Sequence, residues 1–338
     1  SSKSKLGGLW KANYFHFGDW LALDGKKGSN VGGTELTFIC SCYYYYSLRI
    51  FVNTIEILKK DGLIDDKSSI LENKYRERME QTLLEIRNEY MTPSGRIAIQ
   101  TQSAQALSLF LNISVKKRSV LHSLKNLLRK SAFKLKTGFI GTPILCRSIS
   151  DAGDPCTAYT VFLNEDFPGW LFEVKMNSTS IWERWDSLDS DGQPKKEAGI
   201  NSLNHYVSGA VVDWLYRNVA GIRPVIWAPG FKEFELKPQP DVRLKKARAV
   251  LNSPMGKIES SWKIFGQKVD VNLTDNFTIT DSDGLSIKYK FVVPFNSLAH
   301  LKLQNVSPNE IKLRKSLKKN PVDDDDYDIK DEKIVFTK

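Results

Sequence analysis

One glutamate stands between two indoles in the stretch Ser178-Thr179-Ser180-Ile181-Trp182-Glu183-Arg184-Trp185-Asp186. A carboxyl group packed beside Trp loses water, which favours its neutral form, while a neighbouring guanidinium favours the ionised one. Carboxyl groups tuned in this way do acid–base chemistry, and indole faces stack on the apolar side of a pyranose. The stretch therefore points to work on a sugar. The same residues could instead form a Glu183–Arg184 ion pair on an aromatic hairpin. The polar segment Ser187 to Gly199 follows and reads as a rim loop.

Two further segments carry candidate residues. Phe17-Gly18-Asp19-Trp20-Leu21-Ala22 sets Asp19 beside Trp20 just ahead of the first long helical pattern, a common position for site residues. An Asp turn with a packed Trp accounts for it equally well. His205, in Ser202-Leu203-Asn204-His205-Tyr206, opens the last helical pattern. A helix N-terminus favours the neutral imidazole, which can donate one hydrogen bond to a hydroxyl; a structural His is the plainer alternative. Other chemistries lack their residues. The remaining His have no metal-ligand spacing, no nucleophile elbow surrounds a Ser, and no Gly-rich stretch leads into Gly-Lys-Ser/Thr. Neither metal nor cofactor is expected.

The elements that must position these residues fall into two groups. Helical periodicity predicts helices over Thr34–Lys60 with Thr34 as N-cap, Ser69–Met91, Gln102–Leu111, Lys117–Phe133, Thr142–Ser148, Ala158–Glu165 and Leu203–Asn218. Short turns between them point to an α/α solenoid or toroid. After Ala220-Gly221-Ile222 the period falls to two, in short runs separated by Pro/Gly-rich and Asp/Gly-rich turns, which predicts an antiparallel β-sandwich. The expected domains are 1–220, 221–304 and a charged, frayed tail over 305–338.

The composition agrees with a globular protein: 338 residues, 41% hydrophobic and 26% charged, enough for about two domains. The net charge of +10 is densest between Lys116 and Lys136, interleaved with Val120, Leu121, Leu124, Leu127 and Leu128. That pattern is an amphipathic helix with a solvated basic face, and no nucleic-acid motif accompanies it. No apolar run of membrane-spanning length exists. Cys40, Cys42, Cys146 and Cys156 form no CxxC pair and read as free buried thiols of a reducing compartment. Ser1–Lys11 lacks the apolar stretch of a signal peptide, which points to the cytoplasm; the missing initiator Met leaves export open.

The ordered set of segments resembles the α-L-rhamnosidases of glycoside hydrolase family 78. Its members here are Phe17–Ala22, Thr137-Gly138-Phe139-Ile140-Gly141-Thr142, Pro168-Gly169-Trp170-Leu171, Ser180–Trp185, Ser202–Tyr206, Gly209-Ala210-Val211, Ala220-Gly221-Ile222, Pro229-Gly230-Phe231, and Gly256 with Ser261-Trp262. Order and spacing agree from about residue 14 to about residue 303. The resemblance implies an (α/α)6 toroid followed by a β-sandwich, and hydrolysis of terminal non-reducing α-L-rhamnose with inversion. In such enzymes an acid protonates the leaving oxygen while a carboxylate roughly 6.5–9.5 Å away activates water. Glu183 matches the family's general base; Trp20, His205, Trp182 and Trp185 match positions lining the sugar pocket, and Asp19 matches one that orients Trp20 or contacts a hydroxyl. Two departures stand out. Asn177-Ser178-Thr179-Ser180 replaces the usual Gly-Ala-Thr-Thr, and the family's acid-bearing motif, of Asp-Cys-Pro-Gln-Arg-Asp-Glu-Arg type, has no counterpart upstream of Phe17. The expectation is the second half of a barrel whose N-terminal half, with the acid, lies on other sequence, acting on a rhamnosyl glycoside. The alternative is an inactive rhamnose-binding remnant.

Overall fold

The computed structural model describes residues 9–10, 15–65, 67–188, 192–194, 201–265, 276–280, 286–303 and 334–336; for 276–280, 286 and 334–336 it describes the backbone alone. The chain divides into two compact units, Ser1–Trp214 and Leu215–Lys338.

The first unit is helical: α1 Leu36–Lys60, α2 Ser68–Tyr90, α3 Gln102–Leu111, α4 Lys117–Lys130, α5 Thr142–Asp151, α6 Pro155–Phe162, α7 Trp170–Lys175 and α8 Val211–Trp214. α1 packs on α2, α3 on both α4 and α5, and α5 on α6. α3 is buried nearly all round, so Ala104, Ala106, Leu107 and Leu111 form the centre rather than one face. Each such side chain contributes about 1.5–3 kcal/mol when fully buried. α3 starts where Thr101 accepts a hydrogen bond from the Ala104 N–H at 3.2 Å, and α6 starts with Asp154 as N-cap followed by Pro155. α4 has the expected basic outer face, buries Val120, Leu124 and Leu128, and pairs Lys125 with Asp154. No described helix is long and apolar enough to cross a membrane.

Three expectations are corrected. Thr34 does not cap α1; its hydroxyl bonds that of Thr101 at 2.6 Å instead, and α1 begins uncapped after Glu35. Cys40, Cys42 and Cys146 are free and buried, but Cys156 is exposed, because it sits in the first turn of α6. The last helix does not begin at Leu203. A single 3₁₀ turn over Ser208–Ala210 leads into α8, and the chain continues into a π turn, Leu215–Val219, in the second unit.

The second unit contains β1 Ile222–Pro224, β2 Glu233–Leu236, β3 Lys246–Ser253, β4 Gly256–Phe265, β5 Asn276–Thr280, β6 Ser286–Val292, β7 Leu298–Leu301 and β8 Ile334–Phe336. One sheet has the order β3-β4-β6-β5 and is antiparallel throughout. The other has the order β1-β2-β7-β8, and β7 runs parallel to both its neighbours. The unit is antiparallel-rich as expected. The parallel pairs arise because β7 returns to β2 only after the whole second sheet, a long connection of the kind parallel pairing requires. Of the tail expected to fray, only Ile334–Phe336 is described, as β8; the rest lies outside the described residues. The core is Ile222, Phe234, Leu236, Ala299 and Leu301 of one sheet with Ile258 of the other.

The π turn is fastened to this unit. The Trp262 indole N–H donates to the Val219 carbonyl at 2.7 Å, and the Ser260 hydroxyl donates to the Ala220 carbonyl. Gly221 then turns with φ +85°, and a Cβ there would stand 2.1 Å from the Pro238 nitrogen. Gly221→Ala is therefore expected to destabilise the chain by about 2–4 kcal/mol. Gly209→Ala, whose new Cβ meets nothing nearer than an Ile181 carbon at 3.9 Å, should stay within about 0.5 kcal/mol. Thermal melts of the two variants beside the parent check this; equal melting temperatures would refute it.

Candidate active site

Four sequence-distant segments converge in the helical unit. The first joint is Asp19, which is completely buried. One carboxylate oxygen accepts from the Ser103 hydroxyl and from the Gly138 N–H at 3.1 Å; the other accepts from Ile140 at 2.8 Å and Gly141 at 3.2 Å. Burial pushes this carboxyl above the ordinary carboxylate range, against the opposing pull of Ser103 and the three N–H groups. Gly138 permits the approach: a Cβ there would lie 2.1 Å from the Trp20 carbonyl oxygen. That carbonyl accepts from the Phe139 N–H at 2.9 Å. Asp19 thus clamps the turn after Thr137 against the Trp20 strand. It contacts no solvent, so it can orient Trp20 but cannot reach a sugar hydroxyl.

The aromatic side chains follow from that clamp. Trp20 is half-buried and meets Phe17 edge-on at 5.2 Å. Phe139 lies 5.2 Å from the His205 ring, which stacks on exposed Tyr206 at 4.9 Å. The imidazole Nδ1 of His205 accepts from the Val207 N–H at 3.3 Å. In the neutral ring this leaves the proton on Nε2, as a donor for a partner outside. His205 does not open a helix. Its N–H goes to the Ile181 carbonyl at 2.8 Å, and the Glu183 N–H goes to the Ser202 carbonyl at 2.9 Å. The segments 181–183 and 202–205 are therefore joined by backbone hydrogen bonds, and helical structure begins only after them, at Ser208.

Glu183 is half-buried at this pairing. Its Oε2 accepts from the Ser202 N–H at 3.0 Å, and its Oε1 has no hydrogen bond among the described residues. Arg184 does not pair with it. Arg184 opens a turn closed by the Ser187 N–H on its carbonyl at 3.2 Å, and its guanidinium binds Asp186 at 3.0 Å and Asn30 at 3.3 Å. The ion-pair alternative for Glu183 is thereby removed, and Arg184 ties the carboxylate's segment to the Trp20 loop. Trp182 and Trp185 are 2% and 5% exposed, so neither offers a face to a ligand. Trp185 packs edge-on against Trp170 at 5.5 Å and Trp182 against Phe172 at 6.5 Å, so both indoles fill volume in the core on either side of Glu183 in sequence. The rim stretch after Ser187 lies mostly outside the described residues. Among the described residues no His, Cys, Asp and Glu cluster could hold a metal ion.

Phe139 and Tyr206 were present in the motifs but not singled out; their role shows only through the ring contacts with His205. Glu173 was missed altogether. It is 2% exposed, its Oε2 accepts from the Trp182 N–H at 3.3 Å, and its Oε1 is buried with no partner among the described residues. Burial pushes its carboxyl up to about 7. The only sequence signal was an acid at an otherwise apolar position of α7, Trp-Leu-Phe-Glu-Val-Lys.

Paired helices followed by an antiparallel-rich β unit are the arrangement of a six-hairpin glycosidase domain with its C-terminal β domain. Residues 1–219 match the model of the bacterial alpha-L-rhamnosidase 6 hairpin glycosidase domain, and residues 221–274 that of the bacterial alpha-L-rhamnosidase C-terminal domain. The chain belongs to the bacterial α-L-rhamnosidase family. It is 30% identical over 252 residues to an alpha-L-rhamnosidase of Formosa agariphila, covering 73% of this chain and 26% of that protein. The one from Streptomyces avermitilis is 28% identical over 249 residues, covering 73% and 22%. The chain thus spans about a quarter of the length of these relatives. The crystal structure of native α-L-rhamnosidase from Aspergillus terreus superposes with a TM-score of 0.73 at 26% identity, over 87% of this chain and 31% of that one. That of the S. avermitilis enzyme complexed with L-rhamnose has a TM-score of 0.67 at 24% identity, over 85% and 29%, a likeness of fold.

Two outcomes follow from the buried carboxyls. Asp19→Ala strands three buried N–H groups and is expected to cost about 3 kcal/mol or more, against about 1 kcal/mol for Ser103→Ala. Urea unfolding of the two variants tests the ranking, and a reversed order would show that Asp19 is no clamp. Glu173 has a raised folded-state value, so the stability it removes grows as pH climbs from the unfolded value near 4.3 through about 7. Glu173→Gln should therefore match the parent near pH 4 and exceed it above pH 7 by on the order of 3 kcal/mol. A stability difference that does not change with pH would refute the burial argument.

Proposed function

We propose that this chain carries the water-activating half of an α-L-rhamnosidase site, with Glu183 as the general base of an inverting hydrolysis. The observation that carries the reading is the asymmetry of Glu183: one oxygen is fixed by the Ser202 N–H while the other has no hydrogen bond among the described residues. A general base needs that arrangement, with its direction set by one hydrogen bond and a lone pair left for water. His205 supplies an Nε2 donor for a sugar hydroxyl, and Trp20, Phe139 and Tyr206 supply apolar faces. The methyl group at carbon 6 of rhamnose suits such walls, since burying it contributes about 0.8 kcal/mol. Trp182 and Trp185 serve by filling the core on either side of the base in sequence. The partner carboxylic acid, roughly 6.5–9.5 Å from the base in an inverting pair, comes from sequence that this chain does not contain.

The reading has two parts, and one pair of assays separates them. This chain alone, given an aryl α-L-rhamnoside, is expected to show no turnover. Joined to the acid-bearing segment of its family, it should hydrolyse the glycoside with release of the inverted anomer, seen by NMR. In that form Glu183→Gln should lower kcat by about 10²–10⁴-fold with KM little changed. Turnover by the chain alone that Glu183→Gln abolishes would refute the absent acid. Activity that survives Glu183→Gln in the joined form would refute the base.

A further inference from the structure

The antiparallel sheet of the second unit has one face that the hydrolytic site does not use. The register sets Lys246 of β3 opposite Lys263 of β4, and Lys263 opposite Lys288 of β6. Three lysines thus stand in one row across three strands. The next row on the same face is Arg248, Ser261 and Lys290, and the one beyond adds Glu259. Glu259 is the only acid in β3 to β6. It is occupied: Arg248 grips it with bonds of 2.9 and 3.0 Å, Lys257 and Lys290 stand within 3.8 Å, and its carboxyl is held down at about 2 by the Arg248 guanidinium. Among the described residues Lys246, Lys263 and Lys288 have no carboxylate partner; Lys263 lies only over the Phe265 ring, at 4.9 Å. Like charges directly opposite one another destabilise a sheet, so the row carries a cost that an anion would relieve.

A groove of about 450 Å³ runs over the cationic residues Lys246, Arg248, Lys263, Lys288 and Lys290 and over Ser261, and Ala247, Trp262 and Tyr289 also line it. Strands lie about 4.8 Å apart, so the lysine row spans about 10 Å, two pyranose lengths of a chain laid across the strands. Trp262 and Tyr289 are buried at 2% and 4% exposure, with side chains on the opposite face, and the apolar side chains on the lysine face are half-buried: Phe265 under Lys263, and Val250 and Val292. A surface for single-stranded nucleic acid would show rings for base stacking beside its cations. A membrane-binding surface would project apolar side chains among its cations.

We propose that this cationic face binds a linear anionic polysaccharide. The choice of a glycan rests on the glycosidase reading above; the need for an anion rests on the charge row alone. The surface would hold an acidic chain by charge and leave the chemistry to the hydrolytic site.

Affinity electrophoresis and calorimetry of this chain with polygalacturonate, dextran sulfate and neutral dextran test it. Binding to at least one acidic polymer, none to neutral dextran, and a log Kd against log salt slope that drops by roughly two to three units in Lys246→Ser/Lys263→Ser/Lys288→Ser are expected. That variant should lose affinity at least tenfold and melt within a few degrees of the parent, since the like-charge repulsion it removes offsets the lost contact of Lys263 with the Phe265 ring. If it fails to fold, the single variants Lys246→Gln and Lys288→Gln must each lose affinity about two- to threefold. Absence of binding to both acidic polymers overturns the proposal, as does equal or tighter binding of oligothymidylate or of phosphatidylserine vesicles. Glu183→Gln must leave the affinity unchanged. A glycan-binding failure with a Glu183-dependent hydrolase therefore sinks only this inference, and the reverse result sinks only the catalytic one.

Discussion

A buried carboxylate that must find its hydrogen bonds is the constraint on which the helical unit turns. Asp19 has no access to water, so its lone pairs have to be met inside the protein. They are met by one hydroxyl from α3 and three consecutive-turn N–H groups ahead of α5. Those N–H groups stand where the first residues of a helix leave donors unfilled, and a negative group is favoured there. The consequence is geometric. Trp20 and Phe139 are fixed side by side through one backbone hydrogen bond, and the ring of Phe139 in turn sets the place of His205. An acid far from any solvent thus decides which aromatic faces surround the open part of the site.

The second half of the arrangement is a pair of backbone hydrogen bonds between 181–183 and 202–205, which reach into the start of the segment that the sequence reads as the last helix. Ser202 and Glu183 exchange two contacts, carbonyl to N–H and N–H to carboxylate. Each contact is worth only about 1 kcal/mol net, or somewhat more where the acceptor is charged. Together they fix the direction of a carboxylate that would otherwise rotate. The indoles flanking it fill volume against Trp170 and Phe172. Glu173, pressed under the same loop with one oxygen unmatched, is a cost the packing carries in order to hold the Trp182 N–H.

The fold was legible wherever one period dominated. Gln102–Leu111 was read to the residue because its cap, Thr101, and its apolar run agree. The beginning of the last helix was misread because Leu203, Val207, Ala210, Val211 and Trp214 keep helical spacing, while the 181–183 segment takes the hydrogen bonds. Periodicity records which side chains are buried, not which backbone partner wins. The same limit explains Arg184. Adjacency in sequence suggested a pair with Glu183, but the backbone turns at Arg184 and brings Asp186, two residues on, to the guanidinium. Tryptophans next to a candidate base looked like sugar platforms; only burial separates a platform from a filler. The parallel pairing of β7 was invisible, since strand patterns carry no direction.

In an inverting hydrolase the two carboxyl groups never touch, because a water and a sugar ring must fit between them. Each can therefore be held by its own local structure and need not share a hydrogen-bond network with the other. On the proposed reading Glu183 fits that description: among the described residues the contacts that hold its segment to other segments, from Ser202, His205, Asn30 and Glu173, come from within the helical unit. A carboxylate held in this way keeps its geometry whichever segment faces it. Under the proposed function, the orientation of Glu183 comes from residues of this chain, and a catalytic pair divided between separate stretches of sequence costs such a base little.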